Sequence, residues 1–288
     1  MTVLQGVIHN RILILGASGF VGNALYRELD SYFDVYGTYC TQDGLYLDNQ
    51  VFFKYNAETD SLLKLLDEIK PRYIISTFSS EMEAAMRSHA ELISYCELLP
   101  MSRILFASSA EVFDARKKFP SYEYDKPLSE TNWGRANIAL EKLLLEQLPL
   151  QTTIFRLPEI LGINAPSIMQ LRQAIKHNAA FEVYPKRIIS VTTAEKIAQQ
   201  LHYIINKDLI DIFHLASTDV VHHDDIFREI AVRIGDKLPV FKKVFSSNED
   251  EYQAILPKEN SLPEAYRITV AEVIESSTLH DEIITLKK

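Results

Sequence analysis

Apolar positions along the chain fall into short continuous runs that alternate with longer stretches of helical spacing. The short runs predict β-strands at 11–15, 33–38, 51–55, 73–77, 104–107 and 152–155. Between several of them, apolar residues recur every three or four positions, which predicts helices at 20–29, 62–69, 81–98 and 137–148. Strands that are apolar almost throughout and alternate with helices are typical of a parallel sheet covered on both faces. The pattern therefore predicts a doubly wound α/β fold.

The alternation is less regular in the second half of the chain. The spacing there predicts helices at 168–177, 194–205, 223–234 and 270–276, and strands at 188–191 and 212–215. Prolines at 239, 257 and 263 interrupt the tail. We therefore expect a main domain over residues 1–160 and a smaller lobe over residues 161–288, and the pattern leaves open that later segments add strands to the main sheet.

Composition narrows the class of protein. With 288 residues, of which 47% are apolar, the chain can bury a sizeable core. The net charge of -9 comes without clusters of Lys and Arg, which argues against nucleic acid as a partner. Cys40 and Cys96 form no CxxC motif and fit ordinary thiols in a reducing compartment. Since no apolar run reaches about 18 residues, we expect no membrane span and a cytoplasmic location.

A glycine motif lies between the first predicted strand and the first predicted helix. It reads Gly16-Ala17-Ser18-Gly19-Phe20-Val21-Gly22, with the spacing GxxGxxG. The first glycine permits a tight turn, the second permits close approach of a pyrophosphate, and the third permits close packing of helix on strand. The motif predicts a Rossmann-type dinucleotide site, with cofactor contacts from Gly16, Ser18, Gly19, Phe20, Val21 and Gly22. The structural alternative is a tight turn with a packing glycine.

The residues at the end of the second predicted strand do not distinguish NAD from NADP as the cofactor. The strand ends Tyr36-Gly37-Thr38-Tyr39-Cys40-Thr41, without an acidic residue for a ribose hydroxyl or a basic residue for a 2′-phosphate. Asn56, after the third strand, is placed to touch an adenine edge. An asparagine in such a loop is equally often a turn residue.

Three segments together carry a family resemblance. They are GASGFVG at 16–22, SSAEVFD at 108–114, and a helical segment TNWGRAN at 131–137. With Arg156-Leu157-Pro158, they resemble the extended short-chain dehydrogenase/reductase family over roughly residues 11–235, and most closely its dTDP-4-dehydrorhamnose reductases. The resemblance implies NAD or NADP as cofactor and a sugar nucleotide as substrate. It also implies that Ser109 binds the substrate oxygen, that Pro158 lies near the nicotinamide, and that the chain forms a homodimer. A partner enzyme subunit is the alternative partner, and it follows from the residues at positions 133 and 137 rather than from the resemblance.

The chain departs from this family at its proton-transfer pair. Trp133 and Asn137 stand where the family has the tyrosine and lysine of a YxxxK motif. An indole N–H is not a usable acid, and a carboxamide supplies no charge to lower a tyrosine pKa. A further departure is the segment Ser76-Thr77-Phe78-Ser79-Ser80, where Thr77 can still face a cofactor but Phe78 would crowd it.

Other groups are candidates for moving a proton. Tyr122 and Tyr124 lie in the loop before the predicted helix, and Glu111 follows Ser109 closely. Loop tyrosines are more often packing or surface residues, and Glu111 has a structural alternative as a carboxylate bound to backbone N–H groups. The cluster at 222–225 (HHDD) opens a predicted helix where aspartate caps N–H groups, so we predict no metal site.

Three functions remain open at this point. The first is a nucleotide-sugar oxidoreductase or epimerase with an atypical active site, and the second is a catalytically silent dinucleotide- or nucleotide-sugar-binding regulatory or partner subunit. The third is a scaffold whose cleft is filled by Phe78 and Trp133.

Overall fold

A computed structural model describes residues 8–41, 43–46, 49–235 and 237–279 of the chain. Its centre is a parallel sheet of seven strands in the order β3-β2-β1-β4-β5-β6-β11. These strands are β1 (Ile8–Leu15), β2 (Asp34–Tyr39), β3 (Phe52–Lys54), β4 (Pro71–Ser76), β5 (Arg103–Ser109), β6 (Thr152–Leu157) and β11 (Ile212–His214). The strand order reverses direction at β1, which is the arrangement of a doubly wound sheet.

Helices cover both faces of this sheet, as the sequence predicts. The helices of the described residues are α1 (Phe20–Leu29), α2 (Asp43–Tyr46), α3 (Leu63–Ile69), α4 (Met82–Leu98), α5 (Asn132–Gln147), α6 (Pro166–His177), α7 (Ala194–Asn206), α8 (His223–Ile234) and α9 (Val270–Thr278). Of these, α1 and α7 pack on one face of the sheet and α3, α4 and α5 on the other. Ile12 and Ile14 of β1 belong to a core with α1 and α7, whereas Leu13 and Leu15 belong to a second core with α3, α4 and α5. Successive strand residues point to opposite faces, so an entirely apolar strand needs a helical layer on each side. No described helix has the length and apolar content to cross a membrane.

A third core lies in the smaller lobe. It joins α6, α8 and α9 to short strands that pair as β7 with β10, β8 with β13, and β9 with β12 and β14. The bounds are β7 (Glu159–Leu161), β8 (Ala180–Val183), β9 (Arg187–Ile189), β10 (Val191–Thr193), β12 (Val221–His222), β13 (Val240–Lys243) and β14 (Glu251–Gln253). Within the second half of the chain, β11 pairs with β6 and α7 packs on α1, so both return to the main sheet.

The structure corrects two predicted elements. The strand predicted at 188–191 is broken into β9 and β10 at Ser190, whose buried hydroxyl accepts the backbone N–H of Ile255 at 3.1 Å. Helix α5 begins at Asn132 rather than at residue 137, because the Thr131 hydroxyl caps it by accepting the Gly134 N–H at 3.0 Å. In both cases a side-chain hydroxyl accepts a backbone N–H and so sets where a strand or helix begins or ends. The spacing of apolar residues does not reveal such a boundary.

A buried ionic network ties the tail of the chain to the main sheet. The Arg156 guanidinium on β6 donates to both carboxylate oxygens of Glu141 on α5, at 2.9 and 2.7 Å, and to the Glu123 carbonyl oxygen at 2.9 Å. The Glu123 carboxylate accepts the backbone N–H groups of Lys258 and Glu259, at 2.9 and 3.2 Å. Arg156 and Glu141 are therefore paired and the Glu123 carboxylate is hydrogen-bonded by backbone groups, and these are the conditions under which charged groups are tolerated in a core.

Candidate functional site

The glycine motif forms a tight turn between β1 and α1. Gly16 has a φ of +84°, a conformation that side chains rarely adopt, and its carbonyl oxygen accepts the Gly19 N–H at 3.0 Å. A Cβ on Gly22 would overlap this same carbonyl group. No side chain caps the first turn of α1, so its free N–H groups and positive dipole face the turn. The geometry fits a bound pyrophosphate.

A cleft of about 220 Å³, here called the cofactor-side cleft, opens beside this turn. It is lined by Gly16, Ser18, Thr38, Tyr39, Cys40, Tyr55, Asn56, Ala57, Glu58, Phe78, Ser79 and Ser80. Of the predicted cofactor residues, the cleft therefore brings together Gly16, Ser18 and Asn56. The Asn56 side chain also accepts the Glu58 N–H at 3.0 Å, which is the turn role that the sequence left open.

The other predicted cofactor residues near the glycine turn do not line this cleft in the described part of the chain. Phe20 packs against the core of the smaller lobe, and Val21 packs against the core between the sheet and α1. Gly19 and Gly22 form the turn itself. The Thr77 hydroxyl donates to the Leu15 carbonyl oxygen at 2.9 Å, so this residue fastens the end of β4 to β1.

Phe78 forms a wall of the cofactor-side cleft. Its ring stacks on His89, with centroids 5.7 Å apart and planes 13° apart, and it meets Tyr55 edge-on at 6.1 Å. The His89 imidazole is itself held between the Ser76 hydroxyl and the Ala85 carbonyl oxygen. Phe78 thus borders the cleft directly beside Gly16, and its crowding of a bound cofactor stays a prediction.

A second cleft of about 180 Å³ lies where β5 and β6 end, and we call it the substrate-side cleft. It is lined by Ser109, Ala110, Glu111, Leu157, Pro158, Glu159, Arg187, Ile189, His223 and Gln253. The predicted residues Ser109, Pro158 and Glu111 meet here. The sequence reasoning missed Glu159, Arg187 and His223, although Glu159 directly follows the Arg156-Leu157-Pro158 segment and could have been noticed there.

Ser109 ends β5 and caps the short 3-10 helix at Ala110–Phe113. Its hydroxyl oxygen accepts the Glu111 N–H at 3.2 Å. The hydroxyl proton takes no part in that bond and can still be donated to a substrate oxygen. The Glu111 carboxylate accepts the Thr131 hydroxyl at 3.3 Å, which links the 3-10 helix to the start of α5.

Trp133 and Asn137 face different surroundings on α5. The Trp133 side chain is 42% exposed and lines neither of these two clefts in the described part of the chain, which speaks against the alternative in which it fills an emptied cleft. Asn137 is 3% exposed, and its amide nitrogen donates to the Trp133 carbonyl oxygen at 3.0 Å. Between them, Gly134 lets α5 approach the 3-10 helix, since a Cβ there would overlap the Glu111 carbonyl oxygen and the Ser129 hydroxyl.

The ionisable groups of the substrate-side cleft influence one another. The walls of the cleft strip hydration from Glu159 and raise its pKa above the ordinary value, and Glu111 adds to the rise while Arg187 opposes it. The Glu159 side chain remains exposed to solvent because the cleft is open on one side. Burial, together with the charge of Arg187, lowers the pKa of His223 to about 4, so this imidazole is neutral at pH 7.

The loop tyrosines lie away from this cleft. The Tyr124 hydroxyl donates to the Asp211 carboxylate at 3.1 Å, and Asp211 precedes β11, at the opposite edge of the parallel sheet. The Tyr122 ring carries the Lys258 ammonium 5.0 Å from its centroid. Both tyrosines are therefore packing and surface residues.

The structure also shows how the residues at 222–225 are arranged. His222 caps α8 without a side-chain hydrogen bond, so the predicted capping by aspartate is wrong. Asp224 instead pairs with Arg228, one helical turn on. Within the described residues, no group of three or more His, Cys, Asp or Glu side chains is arranged to hold a metal ion.

Several solved structures share this fold. dTDP-4-dehydrorhamnose reductase from Yersinia enterocolitica is 18% identical and aligns over 93% of this chain and 99% of its own, with a TM-score of 0.74. dTDP-4-dehydrorhamnose reductase from Bacillus anthracis, in complex with NADP, is 17% identical over 93% and 98% of the chains, with a TM-score of 0.74. dTDP-glucose 4,6-dehydratase from Bacillus anthracis, in complex with NAD, is 13% identical over 93% and 94%, with a TM-score of 0.75.

Sequence comparison gives the family. No curated protein matches the chain in sequence. The model of the RmlD substrate binding domain matches residues 10–262, which includes the glycine turn, Ser109 and the segment around Trp133. The match spans most of the chain, and the protein therefore belongs to the RmlD substrate binding domain family.

Proposed function

We propose that this protein binds NAD or NADP and transfers hydride to or from a nucleotide sugar, with an active site that lacks the usual tyrosine and lysine. The observation that carries the proposal is the placement of the two clefts. The glycine turn follows β1, Ser109 ends β5 and Pro158 follows β6, and parallel strands bring these three ends to one edge of the sheet. Ligands of doubly wound sheets bind at that edge.

The residues present fit a dinucleotide. The free N–H groups at the start of α1 and the close approach of Gly22 to Gly16 would hold the pyrophosphate, and Ser18 and Asn56 would border the adenosine half. Pro158 would border the nicotinamide, and the chemistry that the cofactor would supply there is hydride transfer. The relatives solved with NADP and NAD agree with this ligand class.

A sugar nucleotide also fits the arrangement. A hollow of about 240 Å³ adjoins the substrate-side cleft and shares Arg187 and Gln253 with it. Lys117 also lines that hollow and pairs with Glu251 at 3.3 Å, and Asp114 and Glu130 add two further carboxylates. A sugar in the cleft would extend its diphosphate into this space beside Arg187, the cation that the cleft and the hollow share. The names of the relatives, which are enzymes of dTDP-sugars, support the same class.

A second function is favoured by one specific observation. The Asn137 amide is bonded to the Trp133 carbonyl oxygen and the Trp133 side chain is exposed to solvent, which supports a protein in which neither residue transfers a proton. A protein that binds the dinucleotide or the nucleotide sugar as a regulatory or partner subunit, without redox chemistry, needs neither residue.

The first experiment is a titration with NADH and with NADPH. Trp133 is the only tryptophan, so quenching of its emission reports a nicotinamide bound nearby. We expect saturable quenching in the wild-type protein and in Gly44→Ala, where a Cβ meets open space, and none in Gly22→Ala. Absence of both quenching and heat of binding in the wild-type protein would refute the proposal.

Turnover separates the two functions. We expect oxidation of NADH or NADPH when a panel of 4-keto nucleotide sugars is added to the wild-type protein. Cofactor binding without turnover on that panel would favour the silent subunit.

A further inference from the structure

The carboxylate of Glu159 occupies a distinctive place in the substrate-side cleft. It begins β7 directly after Pro158 and faces the same space as Ser109 and Glu111. No hydrogen bond from the described residues reaches its carboxylate, although the side chain is exposed in the cleft. Its oxygens are therefore available to a ligand.

The other ionisable groups of the cleft are less suited to move a proton. The His223 Nδ1 faces the backbone N–H of Tyr184 at 3.4 Å, which leaves the remaining proton on Nε2 of a neutral ring. The Glu111 carboxylate is engaged by the Thr131 hydroxyl. The Arg187 guanidinium stacks on the Tyr184 ring at 4.0 Å and keeps its proton at any working pH.

We propose that Glu159 is the proton-transferring catalytic residue of this site and takes the place of the missing tyrosine. This inference rests on the proposed function, because it requires a keto group of a nucleotide sugar in the cleft. Ser109 would orient the keto oxygen with its free hydroxyl proton. Arg187, on the wall beside Glu159, would stabilise the carboxylate that remains after the transfer.

The step balances with a reduced nicotinamide as reductant. As the carbonyl carbon accepts a hydride, its π bond to oxygen breaks and that oxygen takes the proton of the Glu159 carboxyl group. A C–H bond and an O–H bond form, the substrate gains two electrons, and Glu159 is left as a carboxylate. Because its side chain reaches solvent, water returns the proton. In the direction of oxidation, the same carboxylate accepts the proton.

The charges that face Glu159 support this role. Glu111 from the 3-10 helix and the dehydrating walls of the cleft favour the protonated form, while Arg187 from β9 favours the carboxylate. His223 from α8 is neutral at pH 7 and adds no charge. Since the net effect raises the pKa of Glu159, this carboxyl exchanges its proton closer to neutral pH than an ordinary carboxyl does.

One test needs no substrate. Infrared spectra of the wild-type protein minus those of Glu159→Gln, recorded from pH 4 to pH 8, isolate the carboxyl band of Glu159. We expect its half-protonation above the ordinary glutamate value of 4.5. Half-protonation at or below that value would overturn the role, whatever the protein binds.

A second test uses turnover of the 4-keto panel. We expect Glu159→Gln to bind NADH as the wild-type protein does, and to lower kcat by about 100- to 10,000-fold. It should also lose the decline in rate at high pH, and Glu159→Asp should recover part of the rate. Glu146→Gln, at the exposed end of α5, is the matched control and should leave the rate unchanged.

The outcomes distinguish this inference from the proposed function. If the wild-type protein turns over a substrate and Glu159→Gln keeps both the rate and the pH profile, the role of Glu159 is refuted and the proposed function stands. If the wild-type protein binds cofactor but converts no member of the panel, hydride transfer and the role of Glu159 fail together. If it binds no cofactor, the proposed function itself fails.

Discussion

The amide nitrogen of Asn137 donates a hydrogen bond to the carbonyl oxygen of Trp133, 3.0 Å away. The bond runs from the side chain of Asn137 to the backbone of the residue four positions earlier on α5. Asn137 is buried, and this bond gives its amide a partner inside the protein. The sequence predicts that these two residues stand in the place of a tyrosine and a lysine.

Restoring both residues should restore the usual chemistry. We expect Trp133→Tyr with Asn137→Lys to raise reductase activity on 4-keto nucleotide sugars by about 100-fold or more, since a lysine charge lowers the pKa of a neighbouring tyrosine. Initial rates of NADH or NADPH oxidation provide the measurement. Neither single variant should suffice. If the double variant folds, binds cofactor and stays inert on the whole panel, the sugar-nucleotide assignment is wrong.

The close approach of α5 to the 3-10 helix should make Gly134 sensitive to substitution. Gly134→Ala places a methyl group against the Glu111 carbonyl oxygen, so we expect the free energy of unfolding to fall by about 1–3 kcal/mol. Urea denaturation measures this. Gly44→Ala, which adds a methyl group in open space, should not destabilise the protein. Equal midpoints for wild type and Gly134→Ala would mean that the helix does not sit this close to Glu111.

The buried pair of Arg156 and Glu141 should matter more than an exposed pair on the same helix. Glu141→Gln leaves the Arg156 charge in the core without its carboxylate, and we expect a loss of about 3–5 kcal/mol in the free energy of unfolding. Glu146→Gln removes the exposed partner of Lys142 and should change stability by less than about 1 kcal/mol. Similar effects of the two variants in urea denaturation would contradict the buried network.

Stability should fall as the pH is lowered below about 6.5. Burial, with the nearby Arg156 charge, lowers the pKa of His214 to about 3, whereas in the unfolded chain a histidine titrates near pH ~6.5. The unfolded state therefore binds a proton that the folded state excludes. This favours unfolding by about 1.4 kcal/mol per pH unit as the pH falls from 6.5 toward 3.

The contribution of His214 can be isolated by comparing slopes. Between pH 7 and pH 5, the free energy of unfolding measured with urea should depend less steeply on pH in His214→Gln than in wild type, because the variant lacks the histidine with the lowered pKa. His89 and His223, with pKa values lowered by burial to about 4, retain their share of the slope in both proteins. The matched control is His177→Gln at the exposed end of α6. An unchanged slope in His214→Gln would refute the assignment.

The main sheet was predictable because its signals are local. Ile12 to Leu15 form an apolar run, and Phe20 to Leu29 show helical spacing, so strand and helix were each determined by a few adjacent residues. Helix α8 was predicted at its observed bounds for the same reason. The glycine turn was equally predictable, since Gly22 packs against the backbone of Gly16 within a segment of seven residues.

The short strands of the smaller lobe were not predictable. β7, β8, β12, β13 and β14 hold two to four residues each, too few for a period to appear. Their pairing partners lie far along the chain, as β8 with β13 and β9 with β14. Such strands form because the three-dimensional neighbours supply the hydrogen bonds, and the sequence of each strand alone carries little of that information.

The same distinction between local and long-range information applies to the site. The sequence by itself determined the sheet, the glycine turn and the position of Ser109 after a strand, because each of these depends on neighbouring residues. Only the tertiary structure decided that Trp133 turns to solvent and that Glu159, Arg187 and His223 meet at Ser109. Those three residues come from β7, β9 and α8, and a cleft whose walls come from distant segments exists only once the cores beneath those segments have packed.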